Sequence, residues 1–130
     1  MTWKFDTNKP IYLQLVEQLK ILLVADYYQS GAKLPSVRDL ANEAGVNPNT
    51  LQRAFGELER AGLVFSQRTN GRFVTEDKEM IKNLRNELAL SHIKIFWDNM
   101  KHLGFNKEEI LVLLDQVALD NAIDDAIEEK

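Results

Sequence analysis

The chain has 130 residues, of which 45% are hydrophobic and 28% are charged. This length corresponds to about one domain, and the composition is that of a chain that buries a core instead of remaining disordered. It holds no run of 18 apolar residues and no signal-peptide pattern at its start, so neither a membrane span nor secretion is expected. The absence of cysteine excludes disulfides and thiolate metal sites and fits a cytoplasmic protein.

The formal net charge of −4 argues at first against a nucleic-acid partner, but the charge is unevenly distributed. Residues 1–76 carry a net charge of +1, whereas residues 77–130 carry −5. The first part is therefore only mildly basic. Binding of a polyanion there would depend on a few well-placed cations and not on a broad basic patch.

Two helices are predicted in the first third of the chain. Apolar residues recur at helical spacing after Pro10, and this helix should fade between residues 27 and 31. Ser36 is a good N-cap with Asp39 three residues later, and Gly45 can end the second helix because glycine tolerates a positive φ.

A third helix and a hairpin follow. Asn47 and Pro48 begin a helix that Gly62 ends. Residues 63–67 and 72–75 read as two strands, joined through an Asn-Gly pair that favours a tight hairpin turn. This order is that of a winged helix-turn-helix, which holds a short polar helix face in the DNA major groove.

Two amphipathic helices, about 77–103 and 107–127, complete the chain. They are too few to form a core alone, so a second copy is expected to complete them. The predicted fold is mainly α with a small β-hairpin: a winged helix-turn-helix DNA-binding domain at 1–76 and a two-helix dimerisation tail at 77–130. Candidate dimer contacts are Leu84, Leu88, Ile95, Phe96, Trp97, Leu111, Leu114 and Val117.

The third helix carries the sharpest functional pattern. Asn49, Gln52 and Arg53 fall on one face, opposite the apolar stripe. Asn and Gln can bond adenine through two hydrogen bonds, and Arg can do so with guanine. Spacing alone leaves two interpretations open, a DNA-reading face and a solvated helix face.

Four segments carry a resemblance to a known family. They are PIYLQ at 10–14, LPSVRDLA at 34–41, VNPNTLQRAF at 46–55 and LERAGL at 58–63. They resemble the GntR family of bacterial transcription regulators over about residues 8–75, and the short tail looks like the dimerising helices of the YtrA subfamily. The chain departs from the family pattern at Ala32, at Pro48 and at the wing tip, residues 69–71.

The resemblance implies a sequence-specific DNA-binding regulator, a repressor that binds a pseudo-palindromic operator as a homodimer. Double-stranded DNA and a second copy are the implied partners, and a small-molecule effector is left open. Base contacts are assigned to Asn49, Gln52 and Arg53, and a phosphate contact to Thr50. Arg38 could reach either, and the hairpin could enter the minor groove or grip phosphates. The full predicted DNA-binding set is Lys33, Arg38, Asn47, Asn49, Thr50, Gln52, Arg53, Arg68, Asn70, Gly71 and Arg72.

Two other readings compete with this one. The overall acidity keeps open a winged-helix protein-interaction module that does not bind DNA. A fragment of a regulator fused to an aminotransferase-like domain is opposed by the tail, which lacks a cofactor-lysine motif. His92 and His102 have no evident ligand partners in spacing, so no metal site is expected. The sequence has no paired catalytic carboxylates, nucleophile constellation or phosphate-binding glycine loop, so no cofactor and no enzyme activity are expected.

Overall fold

The computed structural model describes residues 2–128 and confirms the predicted fold class. Each predicted helix is present, and the first ends at Val24, before the expected residues 27–31. The elements are α1 (Ile11–Val24), α2 (Val37–Ala44), α3 (Pro48–Arg60), β1 (Val64–Gln67), β2 (Gly71–Val74), α4 (Lys78–His102) and α5 (Lys107–Glu128). The chain forms two compact units, one ending at Glu87 and the other beginning at Leu88.

Local capping sets the ends of the two helices that form the helix-turn-helix. The Ser36 hydroxyl accepts a hydrogen bond from the backbone N–H of Asp39 at 3.1 Å, so an otherwise unpaired N–H of the first turn of α2 is satisfied. Gly45 ends this helix at a φ of +70°, a left-handed conformation that glycine adopts without steric cost. The Asn47 carboxamide oxygen accepts from the backbone N–H of Asn49 at 2.8 Å and caps α3.

The core of the first unit lies where α3 packs against α1 and α2. Leu51, Ala54, Phe55 and Leu58 recur at helical spacing on α3, and all four are buried. Leu15 of α1 and Leu40 of α2 are fully buried with them. Burial of this stripe against two helices fixes the rotation of α3 about its axis, so its opposite face is turned toward solvent.

The hairpin is attached to the helices along the outer edge of β2. β1 and β2 pair antiparallel, with Val64 opposite Val74. Residues 31–34 then pair with β2 on its other side, through backbone hydrogen bonds from Leu34 to Arg72 (2.8 Å) and from Val74 to Ala32 (2.9 Å). The sequence predicts the two strands and their turn, but not this additional strip of backbone pairing.

The second unit consists of the rest of α4 and α5. A reciprocal capping box starts α5: Asn106 and Glu109 exchange hydrogen bonds of 2.9 and 3.1 Å between side chain and backbone. Ile110 is fully buried, yet most of the large apolar side chains that the structure describes in this unit are exposed. They are Leu90, Ile93, Ile95, Leu103, Leu111, Val112, Leu114, Val117 and Leu119. None of the helices within residues 2–128 has the length and apolarity needed to span a bilayer.

Candidate nucleic-acid interface

The predicted base-reading residues share one exposed face of α3. Asn49, Gln52 and Arg53 are exposed, and Thr50 beside them is half-buried. They stand opposite the buried stripe of the same helix, which holds the face in place. The backbone therefore presents an amide, a second amide and a guanidinium in a fixed order, as a direct readout of base edges requires.

Arg53 does not extend freely from this face. Its guanidinium carbon lies 4.6 Å from the centroid of the Tyr12 ring, near the start of α1. This distance is within the range of a cation–π interaction. The contact joins residues from two different helices and has no counterpart in the sequence pattern.

The start of α2 and the hairpin turn line a second part of the site. Arg38 is exposed in the first turn of α2, and Lys33 is exposed on the strip that pairs with β2. A groove of about 390 Å³ runs between this helix start and the turn, and Asn70 and Gly71 contribute to its wall. Exposed Arg68 extends the cationic character of the turn. Exposed cations beside a helix N-terminus are suited to phosphate groups.

Arg72 has a different environment from the other predicted contact residues. Its side chain is only 19% exposed, and its Nε donates to the Glu59 carboxylate at 2.7 Å. Its guanidinium also lies 5.0 Å from the centre of the buried Phe55 ring. The Ser66 hydroxyl donates to the same carboxylate oxygen at 2.6 Å. Glu59 at the end of α3 thus joins β1 and β2 to this helix.

Because of these hydrogen bonds, the contribution of Glu59 to the stability of the fold depends on pH. The hydrogen bond from Ser66, followed by that from Arg72, lowers the pKa of Glu59 below its usual value. Because the folded-state pKa is depressed, the stabilisation is complete above the unfolded-state pKa and is lost as the pH falls through the folded-state pKa.

We expect Glu59→Gln to reduce the acid sensitivity of the fold, because the amide keeps an acceptor for Ser66 and Arg72 but carries no titrating charge. Thermal unfolding midpoints measured from pH 7 down to pH 3 should fall less steeply for this variant than for the parent. Glu87→Gln makes the same chemical change at an exposed position and serves as the control. Parallel pH profiles for the parent and both variants would contradict the assignment of this carboxylate.

The predicted dimer contacts divide by exposure. Leu84 is buried within its own chain, and Leu88, Phe96 and Trp97 are half-buried. The other four are exposed: Ile95, Leu111, Leu114 and Val117. No cluster of three or more His, Cys, Asp or Glu side chains suited to a metal ion is found in the described part of the chain.

Sequence reasoning missed two residues that organise this site. Tyr12 lies in the segment at 10–14 that carries part of the family resemblance, but nothing in its spacing indicated a contact with α3. Glu59 also lies in a resembling segment, at 58–63, and its partners follow it by seven and thirteen residues. Its position in the last turn of a helix that leads into a hairpin is the signal that could have indicated such a role.

Comparison with known proteins agrees with this geometry. Residues 11–74 match the model of "Bacterial regulatory proteins, gntR family". The chain is 43% identical over 108 residues to the uncharacterized HTH-type transcriptional regulator YhcF of Bacillus subtilis, which spans 83% of this chain and 89% of that protein. It is 41% identical over 71 residues to the HTH-type transcriptional repressor YtrA of the same organism, or 55% of each chain. A solved GntR family transcriptional regulator from Listeria monocytogenes has a TM-score of 0.81 and 41% identity, over 86% of this chain and 98% of that one.

Proposed function

Because the chain belongs to the gntR family of bacterial regulatory proteins, within the YtrA subfamily, we propose that it represses transcription as a homodimer on a pseudo-palindromic operator. Its relatives are transcription regulators, and the chain is a DNA-binding regulator and not an enzyme. Beyond this family assignment, the proposal specifies the homodimer, the symmetry of the operator and the residues that contact DNA. A protein that reads chromosomal DNA works in the cytoplasm, so this location is part of the proposal.

The exposed polar face of α3 is the observation that carries the proposal. Asn49, Gln52 and Arg53 are exposed on a helix whose rotation is fixed by its buried stripe. Side chains of these types can distinguish adenine and guanine in the major groove. Arg38, Lys33 and the hairpin turn flank this face with groups suited to phosphates, which position a protein on the duplex without reading sequence.

The tail supports the homodimer. Among the described side chains of the second unit, nine large apolar ones are exposed. The unit therefore has an apolar surface to bury, and a second copy offers an identical one. In such a dimer the residues from 77 onward set the separation of two domains of residues 1–76. Two recognition helices would then meet successive major grooves, about 34–36 Å apart.

Selection of bound sequences from a pool of random duplexes tests the proposal. The expected result is an enriched motif with two inverted half-sites whose centres are separated by about one helical turn or a multiple of it. Absence of any enrichment by a folded, dimeric protein at low salt would contradict DNA binding and favour a protein-interaction module. Enrichment of a single half-site would contradict the proposed arrangement of the dimer.

Lys33→Ala tests the phosphate contacts. Lys33 is exposed, and its side chain lies against Gly71 of the hairpin turn. A Cβ added to Gly71 would be 3.3 Å from the Lys33 Cε. Loss of one phosphate contact should weaken binding to all duplexes about equally and lower the slope of log K against log salt by about 1. Titrations from low to moderate salt measure this slope. Lys82→Ala, which removes the same charge from α4, should leave the slope unchanged, and an unchanged slope for Lys33→Ala would remove Lys33 from the phosphate contacts.

A further inference from the structure

The Arg53 guanidinium lies over the ring of Tyr12. The two groups are separated by 4.6 Å, measured from the guanidinium carbon to the ring centroid. Tyr12 is half-buried at the second position of α1, so its ring is fixed by the packing of α1 on α3. Arg53, by contrast, is exposed and has a long side chain with many rotamers.

The carboxylate nearest in sequence to Arg53 on the same helix face is engaged elsewhere. Glu57 lies one turn after Arg53, at the spacing that normally favours an ion pair. It instead forms an ion pair with Arg60. Within the part of the chain that the structure describes, no ion pair of Arg53 is found. The positive charge of Arg53 is therefore not neutralised by its own helix.

The mode of contact decides what Arg53 can still do. An ion pair would occupy the N–H groups of the guanidinium, whereas a ring contact leaves the five donors at its edge available. Reading guanine requires two of these donors, directed together at O6 and N7. Holding the side chain in one arrangement also lowers the entropy lost when it binds.

We propose that Tyr12 is a positioning residue for base recognition, which holds Arg53 by its ring face so that its donor edge is directed at a guanine. The inference rests on the proposed function, since it assigns a cause to the specificity of the same α3 face. Tyr12 acts through Arg53 and makes no contact with the base.

The expected effect is a loss of discrimination. Tyr12→Leu should bind the selected operator about two- to fivefold more weakly than the parent, the fold-change that corresponds to an exposed cation–π contact. Tyr12→Phe keeps the ring and should bind like the parent. Tyr27→Leu removes an exposed tyrosine outside the interface and should also bind like the parent.

A double-mutant cycle separates positioning from a general structural role. Replacing each operator guanine in turn by 7-deazaguanine, which lacks N7, identifies the guanine at which Arg53→Ala and the modified base are not additive. At that guanine, Tyr12→Leu should lower the penalty for the modified base, and it should have no further effect in the Arg53→Ala background. A structural role would lower the melting temperature and weaken all duplexes equally, leaving the penalty unchanged, and that result would overturn the inference.

The contact itself is testable without DNA. The Arg53 Nε–Hε signal should show a ring-current shift in NMR spectra of the parent and of Tyr12→Phe, and lose it in Tyr12→Leu. Tighter operator binding by Tyr12→Leu would overturn the inference, because it would mean that the ring holds Arg53 away from the base. If the parent selects no sequence while its ring-current shift is present, the proposed function fails and the base-reading role of the contact fails with it. If the parent selects a motif but Tyr12→Leu reads it identically, only the inference fails.

Discussion

Phe55→Ala is expected to lower the free energy of unfolding of the first unit by about 3–5 kcal/mol. Phe55 is fully buried, and it is the largest fully buried side chain among those that the structure describes. Its removal leaves a cavity between α3 and its neighbours, and it also removes the ring beneath the Arg72 guanidinium. Because domains of this kind are stable by about 5–15 kcal/mol in total, the variant should be partly unfolded at 37 °C and should bind DNA in proportion to its folded fraction.

Denaturant titration followed by circular dichroism measures this loss. Phe65→Ala is the matched control, since the same ring is removed from β1 where Phe65 is 38% exposed and stacks on Phe73. The control should lose about 1 kcal/mol, within the ordinary range for a point mutation outside a core. Equal losses for the two variants would contradict the placement of Phe55 at the centre of the core. Added operator should raise the stability of both variants, because DNA binds only the folded state.

Leu114→Glu combined with Val117→Glu is expected to turn the proposed dimer into a monomer. Both side chains are exposed on α5, 41% and 55% respectively, so the substitutions leave the fold of one chain intact. Placing four like charges at a symmetric apolar interface of two copies opposes association through both repulsion and desolvation.

The consequence for DNA binding should be large. A dimer binds its second half-site as an intramolecular event, and this gain amounts to about 10²–10⁴ in affinity. The double variant should therefore bind the operator at least about 100-fold more weakly, while its affinity for an isolated half-site stays at the parental value. Sedimentation velocity gives the mass of the species, and titration of both duplexes gives the affinities.

Leu13→Glu is a suitable control for this experiment, because Leu13 is 60% exposed on α1. It adds a charge to an exposed apolar position outside the tail and should remain dimeric. A double variant that sediments as a dimer and binds with parental affinity would show that this face of α5 is not the interface.

Local patterns identified the elements of this protein because their causes lie within a few residues of one another. Ser36 caps α2 and Asn106 caps α5 through bonds to residues three positions away, so the cap and its partner are visible together in the sequence. The buried stripe of α3 follows helical periodicity in the same way. The exposed face opposite it, with Asn49, Gln52 and Arg53, follows directly from that stripe.

The pairings that organise the site were decided by tertiary structure alone. Arg53 meets Tyr12 across 41 positions of sequence, and Arg72 meets Glu59 across thirteen. The two arginines therefore have different environments. Arg53 is exposed on a helix face, whereas Arg72 lies between the Glu59 carboxylate and the Phe55 ring. Which partner a long side chain finds depends on how helices pack, and packing is set by the whole core.

The same distinction applies to the tail. Helical periodicity placed the apolar residues of α4 and α5 along the two helices, but it did not indicate which of them are buried within a single chain. Leu84 is buried within its own chain, whereas Leu114 and Val117 remain exposed. By itself, the sequence determined the order of the elements, their caps and the polar face of α3, because these follow from backbone hydrogen bonding and spacing. Only the folded structure decided which charges stay available and which apolar faces stay open, because both depend on residues brought together from distant parts of the chain.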